Sequence, residues 1–400
     1  MDLDKNAVQE AASQVKPVTV LQVFSGDLWA GAERMIASLM AGLKRYPDIH
    51  LIALSLNEGQ LTAVLRSLGI ETHVISESSA AFPVLVQQAS RLFQGREIEL
   101  IHSHRNKENL LAFCIRKKIG ARRLVTTLHG LWETTGLQGV ARLRGLAQER
   151  LDWAILSCSF DKVVAVSEDI RQSLVGRYHW SQAQVEVIHN GIEVPPPGAG
   201  RDGLDHPFRI GTVGRLVPVK DYDLFLDVAR ALVNLGENVQ LAILGEGPLR
   251  THLENQVKQL GLGDVVQILG SCSDPTDFHY SLDLYLNTSV HEGIPLSILE
   301  AMACGKPIVA PWVGGIPEIV IHEDQGLLIQ TREVNDFAEA CRRLMREHKT
   351  RERMGLKGRE RVYRSFSSER MANSYRHLYR RLCGVSVDSE RGDVRVCTAP

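Results

Sequence analysis

The chain has 400 residues, with 46 Lys and Arg against 47 Asp and Glu, a formal net charge of −1, and 44% hydrophobic residues. That length divides into two or three folding units, and the apolar-rich, charge-balanced composition excludes wholesale disorder and gives no footing for a nucleic-acid binder. Seven scattered cysteines with no CxxC pair argue against a disulfide framework or a thiolate zinc site and fit a reducing compartment.

The first residues, MDLDKNAVQEAAS, lack the basic-then-apolar order of a signal peptide, and no run of 18 apolar residues occurs anywhere. The expectation is a cytoplasmic protein with an extension over 1–17. From Val18 onward short β-branched runs alternate with amphipathic segments. Strands are predicted at Val18–Phe24, Leu51–Leu56, Leu100–His104, Leu124–His129, Val163–Ser167 and Val185–His189. Helices such as Ala32–Lys44, Asn109–Lys118 and Arg142–Leu156 lie between them. Strands apolar almost throughout are covered on both faces, so this is a parallel, doubly wound sheet with its ligand crevice at the carboxyl edge.

Val194-Pro195-Pro196-Pro197-Gly198-Ala199-Gly200 breaks the pattern, because three prolines cannot continue a helix or a central strand. The alternation then restarts. Strands are expected at Arg209–Val213, Gln240–Leu244, Val265–Leu269, Leu284–Asn287, Pro307–Ala310 and Leu327–Ile329, and helices at Tyr222–Leu235, Leu249–Leu260, Pro295–Ala303 and Val334–Arg346. The reading is α/β: two Rossmann-like doubly wound domains, 18–193 and 207–366, joined by a linker over 194–206 and facing each other across a cleft. A last helix covers 367–383, and 384–400 is a polar tail.

Charge is unevenly placed. Cys341–Cys383 holds 14 Lys and Arg against 4 acids, and Arg91–Arg123 holds nine against three Glu. Such runs are ordinarily solvated helix faces; the sharper reading is a surface that leans on anionic lipid.

The chemistry concentrates in His291-Glu292-Gly293-Ile294-Pro295-Leu296 and its continuation to Glu300. Gly293 lets the backbone approach a ligand, and the free N–H groups at the start of the helix opened by Pro295 form an anion site. Glu292 sits just before that helix and Glu300 about a turn and a half inside it. Two carboxylates accepting from hydroxyls beside backbone donors for phosphate suit a nucleotide sugar; taken alone they are one loop acid and one helix acid. Gly214-Arg215 and Lys220 follow the first strand of the second domain, where two cations would neutralise a diphosphate leaving group. Ser25–Glu33, with Gly31, is a loop able to present N–H groups to phosphate. His129 ends a strand at the same edge and either faces the cleft or is a satisfied structural histidine. His102 and His104 share a strand face, but with no acidic or cysteine ligand attached a metal site is not expected. Ser167 before Glu168-Asp169 reads as a helix N-cap.

These motifs resemble the retaining glycosyltransferases of family 4, the group-1 class with the GT-B fold. The resemblance runs from about Val18 to Leu382. It is carried by the Glu292-to-Glu300 element continuing through EAMACGKPIVA (Glu300–Ala310), by Gly214-Arg215 with Lys220, by Leu244-Gly245-Glu246-Gly247-Pro248, by Val187-Ile188-His189-Asn190-Gly191-Ile192 and by Gly314-Gly315-Ile316-Pro317-Glu318. It implies transfer of a sugar from a UDP- or GDP-type donor to an acceptor hydroxyl with retention, with no required cofactor or metal. The first domain would be the acceptor side and the second the donor side, the last helix crossing back to the first.

By the same resemblance Arg215 and Lys220 would hold the diphosphate. Glu292 would contact the sugar, aided by backbone N–H groups near Gly293–Leu296, and Gly293, Ile294, Pro295 and Leu296 would line the donor. Glu300 would bind the ribose, His129 would sit beside the reacting centre, and Gly31 and Gly214 would line the donor site. A saccharide or lipid-linked acceptor and bacterial-type cell-surface polysaccharide, lipopolysaccharide or glycolipid synthesis are the implied setting, with peripheral contact at the inner membrane face. Ala30 replaces the first glycine of the family's usual pair, His189 stands where proline is common, and Asp221 where glycine is common. An epimerase or hydrolase of nucleotide sugars, or an inactive binding protein on the same fold, are the alternative readings.

Overall fold

The computed structural model describes residues 16–27, 29–130, 139–198 and 207–385. The first unit carries β1 (Val18–Phe24), α1 (Gly31–Leu43), β2 (Ile49–Ser55), α2 (Gln60–Ser67), β3 (Glu71–Val74), α3 (Phe82–Phe93), β4 (Leu100–Ser103), α4 (Asn106–Ile119), β5 (Arg123–Leu128), α5 (Gly139–Ser159), β6 (Lys162–Ala165), α6 (Glu168–Gln172) and β7 (Val185–Val187). Its seven strands lie in the order β3-β2-β1-β4-β5-β6-β7, paired in parallel throughout. The apolar run of β1 suits an interior strand, between β2 and β4, where Val20, Leu21, Val23 and Phe24 are all buried. Each such side chain stabilises by about 1.5–3 kcal/mol relative to exposure.

The second unit carries β8 (Phe208–Val213), α7 (Tyr222–Asn234), β9 (Val239–Leu244), α8 (Arg250–Gln259), β10 (Val266–Leu269), α9 (Thr276–Tyr280), β11 (Leu284–Leu286), α10 (Leu296–Ala303), β12 (Ile308–Pro311), α11 (Ile316–Ile319), β13 (Gly326–Ile329), α12 (Val334–Arg346) and α13 (His348–Ser365). Its six parallel strands follow the order β10-β9-β8-β11-β12-β13. Both sheets reverse their order beside their first strand, which is where crevices open in doubly wound folds.

Two features join the units. The apolar core of the first continues without a break into Ile294, Leu296, Ile298 and Ile316 of the second. The chain also crosses twice at one place: the Ile192 amide donates to the Phe366 carbonyl at 2.9 Å and the Ser368 amide to the Ile192 carbonyl at 2.8 Å. Gly191 is required there, since a Cβ would stand 2.3 Å from the Ser367 carbonyl. After this crossing α14 (Ser368–Cys383) starts under its Ser367 cap and ends at Gly384 with φ +70°. It lies on α1 of the first unit, and Asp48 accepts from Arg376 Nε at 2.9 Å and from Arg380.

The sequence reading left out β3, an edge strand whose Glu-Thr-His-Val run is polar and only partly buried and so carries no core signal. Pro295 was expected as the first helical residue; it is the N-cap, with extended ψ of 114°, and α10 begins at Leu296. The extension (1–17), the linker (194–206) and the tail (384–400) fall mostly outside the described residues.

Candidate functional site

At the carboxyl edge of the second sheet, the loop after β8 and the loop after β11 are tied into one platform. The Val290 amide donates to the Val219 carbonyl at 2.8 Å, and Thr288 Oγ1 donates to the Lys220 carbonyl at 3.1 Å. Arg332 clasps both, donating to the Thr288 and Ser289 carbonyls at 2.8 and 3.1 Å and pairing with Asp221. Asp221 has φ +47°, in the left-handed region where glycine is at ease. Its carboxylate compensates by capping α7 at the Leu224 amide, 3.3 Å away, and by holding Arg332. This explains how an aspartate serves where glycine is common.

On that platform Lys220 Nζ donates to Glu292 Oε1 at 2.5 Å, and Ser289 Oγ donates to the same oxygen at 2.7 Å. Both charges are largely shielded from water. Gly214 lies against them: a Cβ there would come 2.9 Å from the Tyr222 hydroxyl and 3.5 Å from Lys220 Cε. Lys220, Glu292 and Gly214 are therefore brought together. Arg215 is exposed in the same loop and makes no ion pair among the described residues.

The turn into α10 carries the site to the other unit. A Cβ on Gly293 would meet the His129 carbonyl at 2.6 Å and Val166 Cγ2 at 3.1 Å, so only a glycine lets the second unit close on the end of β5. Beside it Asn190 Nδ2 donates to the Ile294 carbonyl at 2.9 Å. Ile294 and Leu296 are buried in this junction. His129 thus sits at the start of α10. Burial first, and the Arg105 charge second, push its imidazole well below the ordinary value, so the ring is neutral near pH 7.

Glu300 faces a partner that the sequence reading did not single out. Arg34 of α1 donates from Nη1 to one of its oxygens at 3.2 Å and holds Nη2 2.8 Å from the other, an ion pair across the two units. The imidazole of His279, fully buried, stands 3.6 Å from the same carboxylate. Gly31, three residues before Arg34, opens α1; a Cβ on it would meet nothing within 4 Å among the described residues, so none of them demands a glycine there. A pocket of about 520 Å³ lies between the units behind this ion pair, lined by Arg34, Ser38, Glu193, Asp274, Leu296 and Glu300 among others.

Elsewhere at the junction His189 Nε2 is 2.8 Å from Glu318 Oε2, which gives this departure from the family's proline a partner. Glu318 also accepts from the Glu168 and Asp169 amides at 2.8 and 3.0 Å, at the start of α6, which Ser167 caps. Burial alone would raise the Glu318 pKa; His189 and the two amides outweigh it, and the net shift is downward from 4.5. A carboxylate depressed in the fold stabilises it above the ordinary value, and that stabilisation is lost as pH falls through the depressed one. Glu318→Gln is therefore expected to cost about 1–2 kcal/mol at neutral pH. In melting curves the gap from wild type should close as the pH drops below 4; a constant gap would contradict this.

Most cations of Cys341–Cys383 are spent on the protein itself: Arg342 on Glu237, Arg343 on Glu323, Lys357 on Asp324, Arg381 on Glu186. In α4, Lys107 pairs with Glu77 and Arg116 with Asp161, while Lys117 and Lys118 are exposed near an exposed Phe113. Among the described residues no group of three or more His, Cys, Asp or Glu is placed to hold a metal ion, and no helix is long and apolar enough to cross a membrane.

Two facing parallel-sheet units, with a lysine–carboxylate platform and a glycine-lined helix start at their junction, define a two-domain α/β protein of the GT-B class. Residues 203–361 match the family model described as glycosyl transferases group 1, and residues 29–194 the one described as glycosyltransferase family 4. The chain belongs to this group-1, family-4 class of glycosyltransferases.

Among curated proteins it is 28% identical over 308 residues to the N-acetyl-alpha-D-glucosaminyl L-malate synthase of Bacillus anthracis, covering 74% of this chain and 78% of that one. It is 23% identical over 376 residues to the UDP-Gal:alpha-D-GlcNAc-diphosphoundecaprenol alpha-1,3-galactosyltransferase of Escherichia coli, covering 87% and 96%. The crystal structure of Anabaena HepE in complex with UDP-glucose superposes with a TM-score of 0.78 at 19% identity, covering 90% of this chain and 98% of that one.

Proposed function

We propose that this glycosyltransferase moves a sugar from a UDP- or GDP-type donor to an acceptor hydroxyl with retention of anomeric configuration, in the making of cell-surface polysaccharide, lipopolysaccharide or glycolipid. The observation that carries the reading is the Lys220–Glu292 pair on a platform whose next residue, Gly293, touches His129 of the facing unit. A diphosphate bears more negative charge than a single carboxylate and competes for the Lys220 ammonium, with Arg215 free to add a second cation. Glu292, released, accepts from hydroxyls of the sugar. The first amides of α10, which begins four residues after Glu292, would favour an anion there. Glu300 takes the ribose hydroxyls, which requires Arg34 to yield at least one oxygen.

In the transfer the acceptor oxygen bonds to the anomeric carbon on the face from which the diphosphate departs. The bond to the diphosphate breaks with its electron pair on the phosphate oxygen, which takes the acceptor's proton. Lys220 and Arg215 stabilise the charge that grows there, and His129 borders the reacting centre. The acceptor is a saccharide, free or lipid-linked. The E. coli relative is a galactosyltransferase acting on alpha-D-GlcNAc-diphosphoundecaprenol, and the exposed Phe113–Lys117–Lys118 face of α4 would meet an anionic membrane if the acceptor here is anchored likewise.

The test is a thermal-shift panel of nucleoside diphosphates and their sugars. Binding to the native state at a hundredfold excess over Kd adds about 2.7 kcal/mol, a shift of several degrees. UDP or GDP compounds should raise the melting midpoint of the wild type and much less that of Lys220→Ala. A melting midpoint indifferent to every nucleotide would contradict the reading.

A further inference from the structure

His102 and His104, which share a strand face, belong to a continuous buried chain of polar groups that ends at His129. His129 Nε2 lies 3.3 Å from His104 Nδ1, and His104 Nε2 lies 2.9 Å from the Gln22 carbonyl oxygen. The Gln22 amide donates to the Tyr379 hydroxyl at 3.1 Å, and that hydroxyl is 2.7 Å from His102 Nδ1. His102 Nε2 is 2.8 Å from Thr127 Oγ1, which is 2.7 Å from the Tyr375 hydroxyl. Gln22 comes from β1, the histidines from the ends of β4 and β5, and both tyrosines from α14, so the returning helix closes the chain. Gln22, His102, His104, Thr127, Tyr375 and Tyr379 are all buried.

The Gln22 side-chain amide, its oxygen turned to His104 and its nitrogen to Tyr379, sets the proton directions in this chain. A carbonyl oxygen only accepts, so His104 carries its hydrogen on Nε2. Burial keeps His104 neutral, its bare Nδ1 can only accept, and His129 must donate from Nε2. At the other end Tyr379 receives the Gln22 N–H and passes its own hydrogen to His102 Nδ1, so His102 donates from Nε2 to Thr127. All three imidazoles take the same tautomer. Apolar side chains of similar size at these positions would avoid burying six polar groups, and the satisfied chain instead imposes one orientation on the ring that borders the cleft.

We propose that His104, anchored by Gln22 and Tyr379, is a positioning residue for His129: it holds that ring as the Nε2–H tautomer and leaves Nδ1 as its acceptor for a substrate hydroxyl. The inference rests on His129 lying beside the reacting centre. A histidine at the cleft without this support would exchange tautomers and rotate, and would offer its acceptor only part of the time.

The direct test is ¹⁵N-histidine NMR of the full chain, with His129 assigned by comparison with His129→Gln. Two-bond correlations should show His129, His104 and His102 as neutral Nε2–H tautomers. An Nδ1–H pattern at His129 overturns the proposal without any variant having to fold. Kinetics form the second arm. His104→Phe, which keeps a ring but no acceptor, should lower kcat about tenfold, the weight of one hydrogen bond, with the donor KM within twofold. His104→Asn, whose carbonyl oxygen can stand near the lost Nδ1, should recover most of it. Equal losses in both variants, or a loss confined to KM, overturn the positioning role. If His129→Ala leaves turnover unchanged, the reading of His129 fails and the proposal with it; if His129→Ala is impaired and His104→Phe is not, the relay alone fails.

Discussion

Lys220→Ala lowers kcat/KM by about 10²–10³ while the protein stays folded. That is the scale of losing one preorganised electrostatic contact to a leaving group. The substitution acts twice. It removes the ammonium that would meet the diphosphate, and among the described residues it leaves the mostly shielded Glu292 carboxylate the Ser289 hydroxyl, 2.7 Å away. An unpaired shielded carboxylate costs about 1–3 kcal/mol, so the melting midpoint falls by a few degrees and no more. Arg215→Ala, which breaks no ion pair among the described residues, should lose activity in the same range with no change in melting. Steady-state rates within threefold of wild type in both variants would remove these cations from the reaction.

Gly293→Ala is expected to cut kcat about 10²-fold with little effect on stability. The added Cβ would lie 2.6 Å from the His129 carbonyl, closer than such atoms come in practice, and the neighbouring Val166 leaves no room to slide. Either the α10 turn shifts by some tenths of an ångström or the two units part. Parting them would open the apolar core that runs on into Ile294 and Leu296 and break the Asn190–Ile294 bond at 2.9 Å, so the turn is what yields. Misplacement of the reacting groups by up to an ångström carries a penalty of this size. A variant that turns over within threefold of wild type would show that the contact between Gly293 and His129 does not matter to catalysis.

The strands were legible because both faces of each sheet are covered, and runs such as Val18–Phe24 therefore read as apolar throughout; the polar edge strand Glu71–Val74 carried no such signal. The cluster around Glu292 was legible because its residues are close in the chain and fix a loop-to-helix turn. The pairing was not. Lys220 and Glu292, 72 residues apart, meet because β8 and β11 lie side by side in the second sheet, and Arg34 and Glu300, 266 apart, meet only where the two units come together. Sequence spacing placed His102 and His104 on one face but could not supply Gln22 from β1 or Tyr379 from α14, which turn a pair of histidines into a directed chain. The same limit applied to the departures from the family pattern. Asp221 and His189 read only as departures from the family pattern, and it is the fold that pairs them with Arg332 and Glu318.

A crystal structure with bound UDP tests the central claim most directly. The account predicts the diphosphate in the cleft, within hydrogen-bonding distance of Lys220 Nζ and the Arg215 guanidinium and over the first amides of α10, with the Lys220–Glu292 contact opened. UDP lodged elsewhere, with Lys220 still joined to Glu292, would contradict it.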